Sequence, residues 1–169
     1  MMNDDIIYTE KVVSKRTEIL FIVLTILFLL PLIWRIFAGS LDLLAGVFLF
    51  FFCFFLFCSL NYRALLIRLT SGSLKLSFGI FTWTIPLNNI SECQLDDDLP
   101  VLMKYGGAGI HFFFIRKRYR ASFNFLEHSR IVIRLKRKAG LLRDISFSTC
   151  QPDEVIRLIQ AAISANNTA

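Results

Sequence analysis

The sequence predicts two membrane-spanning helices followed by a small all-β domain that a single C-terminal helix closes. Three observations lead to this fold class: two long apolar runs in the first third of the chain, an apolar–polar alternation from Ala64 onward, and an apolar stripe at helical spacing near the C terminus. A chain of 169 residues has room for the helices and for one domain of roughly 100 residues. We therefore expect an N-terminal segment (1–18), a two-helix hairpin (19–60), a β domain (61–165) and a tail (166–169).

The two apolar runs predict transmembrane helices over 19–37 and 41–60. The first contains one charged residue, Arg35, and the second contains none within 43–60, a stretch rich in phenylalanine. About 20 helical residues cross the hydrocarbon core of a bilayer, and both runs have this length. Because the connection between them is too short to hold a domain, the helices form a hairpin.

A cleaved signal peptide and a pair of soluble core helices both fit the apolar runs less well. A signal peptide would have a shorter apolar region, and the segment before the first run is rich in acidic residues, namely Asp4, Asp5, Glu10 and Glu18. Two core helices of a soluble protein would each need a polar face, which neither run provides.

Basic residues flank the hairpin at its two open ends, with Lys11, Lys15 and Arg16 before the first helix and Arg63 and Arg68 after the second. The positive-inside rule then places both termini in the cytoplasm and makes the chain a multi-pass protein of the inner (cell) membrane. The four cysteines form no CxxC pair or disulfide framework, which agrees with a reducing compartment.

The β domain is predicted by alternation such as that of Leu74, Leu76 and Phe78 with Lys75 and Ser77. A period of two with β-branched and aromatic residues is typical of half-buried antiparallel strands. We expect about seven strands that form a bent sheet or a partly open barrel, with an eighth strand at the end: 65–70, 74–79, 81–87, 90–95, 109–116, 119–125, 130–136 and 142–148.

The last element is an amphipathic helix. Pro152 suits the first helical position, and Asp153 and Glu154 suit the positive end of the helix dipole. The apolar stripe consists of Val155, Ile156, Leu158, Ile159, Ala162 and Ile163. This face predicts that the helix closes one open end of the sheet.

Three segments of the chain resemble bacterial pleckstrin-homology-like (PH-like) domain proteins, in which a two-helix membrane hairpin is common. They are LKLSFGIFTWTIPLNNISECQ, KYGGAGIHF and ISFSTCQPDEVIRLIQAAI. The second carries the Tyr-Gly-Gly-x-Gly-Ile element of that family in Tyr105, Gly106, Gly107, Gly109 and Ile110, although Ala108 stands where the family usually has Trp. The resemblance implies a PH-like β-barrel and says little about activity.

The glycine element could suggest a phosphate-binding loop. Such a loop opens a helix and needs a Lys and a Ser or Thr at fixed offsets, whereas these glycines precede a predicted strand. We therefore interpret Tyr105, Gly106, Gly107 and Gly109 as a structural turn in which the backbone needs positive φ.

The β domain is basic: residues 61–169 hold fifteen Lys and Arg against eight Asp and Glu, a net charge of +7. Two clusters form the candidate contact site for anionic lipid head groups or a partner: Arg116, Lys117, Arg118 and Arg120, and then Arg134, Lys136, Arg137 and Lys138, with Arg143 nearby. Each cation beside an anionic leaflet contributes about 1 kcal/mol. A solvated strand edge accounts for the same residues equally well, whereas nucleic acid does not suit a membrane-tethered domain.

No constellation points to catalysis, a metal or a cofactor. His111 and His128 have no carboxylate or cysteine nearby in the sequence, and the acidic run 96–98 lacks the alternate spacing of a calcium loop and is expected to be a solvated hairpin. Thr149 is expected near the cap of the last helix rather than as a nucleophile. The apolar runs carry no ionisable group at their centres, which disfavours a transporter.

The sequence therefore favours a non-enzymatic integral membrane protein. Its partners are membrane lipids and, in addition, a membrane or cytoplasmic protein or a further copy of the chain. The alternative is an assembly or scaffold subunit whose phenylalanine-rich second helix packs into a larger membrane complex.

Overall fold

The computed structural model describes residues 5–39, 41–96, 109–115, 118–125 and 127–167. Within them lie two long apolar helices, nine strands in two sheets and a C-terminal helix. The eight strands that the alternation predicts are all present. A ninth strand lies before the hairpin, and the described strands do not close into a barrel.

The hairpin consists of α1 (Lys15–Phe37) and α2 (Leu43–Asn61). Both are long and apolar enough to cross a membrane. Phe28 of α1 stacks on Phe51 and Phe55 of α2, with ring centroids 5.0 and 5.4 Å apart. Most of the large apolar side chains on the outside of the pair are exposed, as a helix in contact with lipid requires.

The first sheet contains four antiparallel strands in the order β1-β2-β3-β4. Its strands are β1 (Ile6–Val13), β2 (Ala64–Thr70), β3 (Ser73–Phe78) and β4 (Phe81–Pro86). The alternation from Ala64 onward does not predict β1, which lies within the segment 1–18. β1 pairs with β2 so that Val13 lies opposite Ala64, and the hairpin is therefore an insertion between two neighbouring strands.

The second sheet contains five strands in the order β5-β8-β9-β7-β6. Its strands are β5 (Ile90–Leu95), β6 (Gly109–Ile115), β7 (Arg118–Asn124), β8 (Ser129–Ala139) and β9 (Leu142–Thr149). The expectation of antiparallel strands is wrong for one pair, because β7 and β9 are parallel. The reason is that β9 inserts between β7 and β8, which are consecutive in the chain and run in opposite directions.

The core lies between the two sheets and contains four fully buried phenylalanines, Phe78, Phe123, Phe125 and Phe147. The C-terminal helix α3 (Pro152–Asn167) buries Val155 and Ile159 in this core and packs beside β5 and the short 3₁₀ turn Leu87–Asn89. α3 thus closes one side of the sandwich, as the apolar stripe predicts, and it extends two residues into the expected tail.

The strands have a near end, next to the hairpin, and a far end. At the near end, Asn61 Oδ1 accepts a hydrogen bond from the Ile80 amide at 3.2 Å, and the ring of Phe57 lies 6.2 Å from that of Phe81. At the far end, the Leu87 amide donates to the Gly72 carbonyl. These two ends decide which side chains lie close to the helices.

Candidate functional site

Most of the predicted basic contact residues that the structure describes lie at the far end. Lys136, Arg137 and Lys138 are exposed on the second half of β8, and Arg143 is exposed at the start of β9. We refer to these four as the far-end cations. Arg116 and Lys117, also predicted contact residues, lie outside the described residues.

The position of the far-end cations separates them from the hairpin. Ser129 begins β8 at the near end, and Lys136 follows seven residues later, which is roughly 23 Å at the ~3.3 Å rise of a strand. Charges on a surface are screened over about 8 Å at physiological ionic strength. The far-end cations are therefore poorly placed to interact with a membrane at the near end.

Two of the far-end cations, Lys136 and Arg137, line a polar cavity of about 440 Å³ together with Pro86, Asn88 and Asn89. Asn89 fixes this corner, because its side chain accepts from the Arg137 amide at 2.8 Å and donates to the Arg137 carbonyl at 3.1 Å. Within the described ranges none of the far-end cations makes an ion pair. Their charges are thus available to an anionic ligand.

Two predicted surface residues are instead in a buried cluster. Arg120 is only 6% exposed, and its Nη1 lies 2.7 Å from Asp96 Oδ1 and its Nη2 lies 3.7 Å from Asp144 Oδ2. The expectation that Arg120 contacts a lipid or partner is therefore wrong, as is that of a solvated loop for Asp96, whose side chain is fully buried. Burial lowers the pKa of the neighbouring Arg130, although Asp96 opposes this effect.

The remaining predicted contact residues, Arg118 and Arg134, are partly exposed and paired. Arg134 Nη1 lies 2.6 Å from Glu92 Oε2, and Arg118 Nη1 lies 3.8 Å from Asp144 Oδ1. Each carboxylate reduces the charge that its arginine offers to a ligand. The far-end cations are the better candidates for recognition.

An apolar groove opens between β4 and β6, which are edge strands of the two sheets. Its volume is about 430 Å³, within the range of ~300–1,000 Å³ that is usual for ligand pockets. The described lining residues are uncharged: Tyr62, Phe81, Thr82, Trp83, Ile110, Phe112 and Phe123. Phe112 is 65% exposed in this groove, whereas Tyr62, Trp83 and Ile110 are half-buried against the core.

The glycine element is described only at Gly109, since Tyr105, Gly106 and Gly107 lie outside the described residues. Gly109 has a φ of 108°, and a Cβ at this position would lie 3.2 Å from the ring of Tyr62. The backbone conformation thus favours glycine, and the close approach of the ring leaves little room for a side chain, in agreement with a structural role.

The structure brings together residues that no sequence spacing connects: His128, Cys150 and Glu10. His128 Nε2 lies 2.8 Å from the Val13 carbonyl oxygen, so this nitrogen carries the proton, and Nδ1 can accept from the Cys150 thiol at 3.7 Å. Glu10 accepts from the Cys150 amide at 2.7 Å and from Thr149 Oγ1 at 2.6 Å. Because 22 positions separate His128 from Cys150, the fold and not the sequence spacing creates this contact.

The surroundings of this cluster do not favour a nucleophile. Burial raises the pKa of Cys150, and Glu10 raises it further, so the reactive thiolate is disfavoured. The other histidine, His111, stacks on Phe113 with ring centroids 5.8 Å apart. In the part of the chain that the structure describes, no three His, Cys, Asp or Glu side chains form a metal-binding group.

A further polar contact joins the hairpin to the second sheet. Ser14 Oγ caps the first turn of α1 by accepting from the Thr17 amide and donates to Glu127 Oε1 at 2.7 Å. The same carboxylate oxygen accepts from the Arg16 amide at 2.9 Å. These hydrogen bonds lower the pKa of Glu127. The Ser14 cap could be found in the sequence, but its distant carboxylate partner could not.

Comparison of the chain with protein-family models, with curated proteins and with solved structures gave no match.

Proposed function

We propose that this chain is a non-enzymatic, membrane-anchored binding module. α1 and α2 cross the inner membrane of a bacterial cell as a hairpin, and the two sheets with α3 form a PH-like domain in the cytoplasm. The exposed apolar surface of the helices supports the anchor. The two packed sheets and the C-terminal helix, together with the resemblance of three segments, support the PH-like fold.

The observation that carries the binding role is the set of far-end cations beside a polar cavity, with no ion pair to any carboxylate that the structure describes. Cations whose charge is not neutralised within the chain recognise an acidic surface. Since the far-end cations lie at the end of the domain opposite the hairpin, we propose that they bind an acidic segment of a partner protein and not the lipids of the anchoring membrane.

The test uses the full-length protein in nanodiscs of zwitterionic lipid and a fluorescent poly-glutamate peptide as the probe. We expect saturable binding that weakens with added salt. The triple variant Lys136→Ser, Arg137→Ser and Lys138→Ser should bind about tenfold more weakly, since surface charge pairs contribute up to about 1 kcal/mol each.

A second triple variant controls for the loss of net charge. Lys11→Ser, Lys75→Ser and Arg157→Ser remove the same number of positive charges, but from β1, β3 and α3. We expect this variant to bind the peptide about as tightly as the parent chain does. Equal weakening in both variants would contradict the proposal. Binding to added anionic vesicles but not to the peptide would identify a second membrane as the partner and would overturn the assignment to a protein.

The assembly alternative has its own supporting observation, because α2 exposes Phe50 and Phe54 on its outer surface. A photo-crosslinker placed at either residue would test it in native membranes. A single abundant protein product would favour an assembly subunit, whereas products with lipid alone would favour an isolated anchor.

A further inference from the structure

We propose that the apolar groove between β4 and β6 binds one acyl chain of a lipid from the adjoining leaflet. This inference rests on the proposed membrane anchor. The groove is a different site from the far-end cations. It would bind the acyl chain of a lipid, whereas basic residues would bind the head group.

The walls of the groove are apolar side chains at the margin of the core, several of which the fold covers only in part. Trp83 and Phe81 face inward from β4, and Ile110 and Phe112 face inward from β6. Because β4 and β6 do not pair with each other, the core stays open between them. Phe112 is 65% exposed, which is costly in water unless another apolar group covers it.

The position of the groove identifies the occupant. Phe81 contacts Phe57, which lies in the last turns of α2, and Tyr62 immediately follows that helix. Leu60, between them, is 61% exposed on the apolar surface that faces the membrane. The groove is thus continuous with the lipid-facing surface of α2, at the level where acyl chains meet the head groups.

The chemistry of the lining agrees with an acyl chain. Among the described lining residues, Thr82, the phenol of Tyr62 and the indole N–H of Trp83 supply the polar side-chain groups, and no charge is present to bind a head group or a peptide terminus. A chain that bends out of the leaflet into the groove would exchange lipid contacts for aromatic contacts. It would also cover Phe112 and Trp83.

The test uses fluorescence of the full chain in vesicles. The sequence contains two tryptophans, Trp34 and Trp83, so the variant Trp34→Phe leaves Trp83 as the sole emitter. Phospholipids brominated near the methyl end of the acyl chain quench tryptophan on contact. We expect strong quenching of Trp83 in brominated vesicles relative to vesicles of the unbrominated lipid.

Two further variants connect the quenching to the groove. In the Trp34→Phe background, Ile110→Phe fills the groove and Phe112→Ser removes one wall, and each should lose most of the quenching. The matched control is Phe114→Ser, because Phe114 lies on the same face of β6 and is 60% exposed but does not line the groove. It should retain the quenching, and circular dichroism checks the fold of each variant.

The outcomes separate this inference from the proposed anchor. A chain that fails to float with vesicles overturns both. A chain that floats while Trp83 emits equally in both lipids overturns the groove alone. If Ile110→Phe, Phe112→Ser and Phe114→Ser all retain equal quenching, the domain is immersed in the lipid and no chain occupies the groove. If the emission of Trp83 in unbrominated vesicles depends on the protein-to-lipid ratio, the occupant is a second copy of the chain. Either result overturns the inference.

Discussion

The environment of Arg120 in the fold differs from the one that its neighbours in the sequence suggest. It stands in a basic stretch, yet it is buried between the carboxylates of Asp96 and Asp144. On the same sheet, Arg134 forms a close pair with Glu92 that remains partly exposed. The two arginines therefore offer a direct comparison of a buried and an exposed ion pair.

Replacing Arg120 should destabilise the domain much more than replacing Arg134. Arg120→Met leaves Asp96 buried without its closest cation and Asp144 with only the partly exposed Arg118, and breaking a buried pair in this way costs about 3–5 kcal/mol. Arg134→Met should cost at most about 1 kcal/mol, since the pair is accessible to water. Urea unfolding in detergent, followed by the β-sheet circular dichroism signal, measures both. Similar losses in the two variants would contradict the buried cluster.

The sequence alone could not reveal this cluster. Asp96 begins an acidic run that resembles a solvated loop, but its amide continues the ladder of β5 by donating to the Arg130 carbonyl at 2.9 Å. Asp144 and Arg120 reach it from strands that are distant in the chain. By contrast, Gly109 was predictable as a structural glycine, because the requirement for positive φ is a local property.

At the level of elements, the start of α1 depends on a residue from the second sheet. The first amides of a helix have no partner within it, and Glu127 accepts a hydrogen bond from one of them, that of Arg16. Its negative charge also interacts favourably with the positive end of the helix dipole. This contact connects the hairpin to the β domain through Ser14 and Glu127.

We expect this connection to weaken at low pH. The pKa of Glu127 is below its ordinary value of 4.5, so its contribution to stability is complete above that value and is lost as the pH falls through the lower pKa of the folded chain. A double-mutant cycle of Ser14→Ala and Glu127→Gln should therefore give a coupling free energy that is smaller at pH 3 than at pH 7. Chemical unfolding at the two pH values measures it.

Two results would contradict this prediction. Coupling that is absent at pH 7 would show that the hydrogen bond adds nothing to stability. Coupling that is the same at both pH values would show that the charge of Glu127 is not involved.

Local patterns predict most elements but not all of their pairings. The alternation of apolar and polar residues locates β2 to β9, and the apolar stripe locates α3. β1 is missed because only one of its eight side chains is buried, so its sequence carries no clear alternation. The parallel pair of β7 and β9 is likewise a property of strand order, which periodicity does not encode. For the candidate site, composition identifies the cations, but only the fold places them at the far end.

For the whole molecule, the pairing of β1 with β2 constrains the path of the chain. β1 leads into α1 and β2 follows α2, so the hydrogen-bonded pair holds the open ends of the hairpin together. If one helix crosses the membrane, the other must return. Because basic residues flank the open ends of the hairpin, we expect the sheets to lie on the cytoplasmic side.

Cysteine labelling tests this topology. In a variant with the native cysteines Cys53, Cys58, Cys93 and Cys150 replaced by serine, Gly39→Cys marks the connection between the helices. An impermeant maleimide should label it in intact spheroplasts. A second variant that keeps only the exposed Cys150 should be labelled only after the membrane is opened. The reverse pattern would invert the orientation, and labelling of both in intact spheroplasts would contradict a hairpin.

The insertion of the hairpin between β1 and β2 also constrains the order of synthesis and assembly. β1 leaves the ribosome first, but its partner strand emerges only after both apolar helices have been made. Closing a loop of this length is slow for a free chain, whereas two helices already packed in a bilayer bring the strands together. We therefore expect membrane insertion to be the step that permits the first sheet to be completed, and we expect a chain that fails to insert to keep β1 as an unpaired strand.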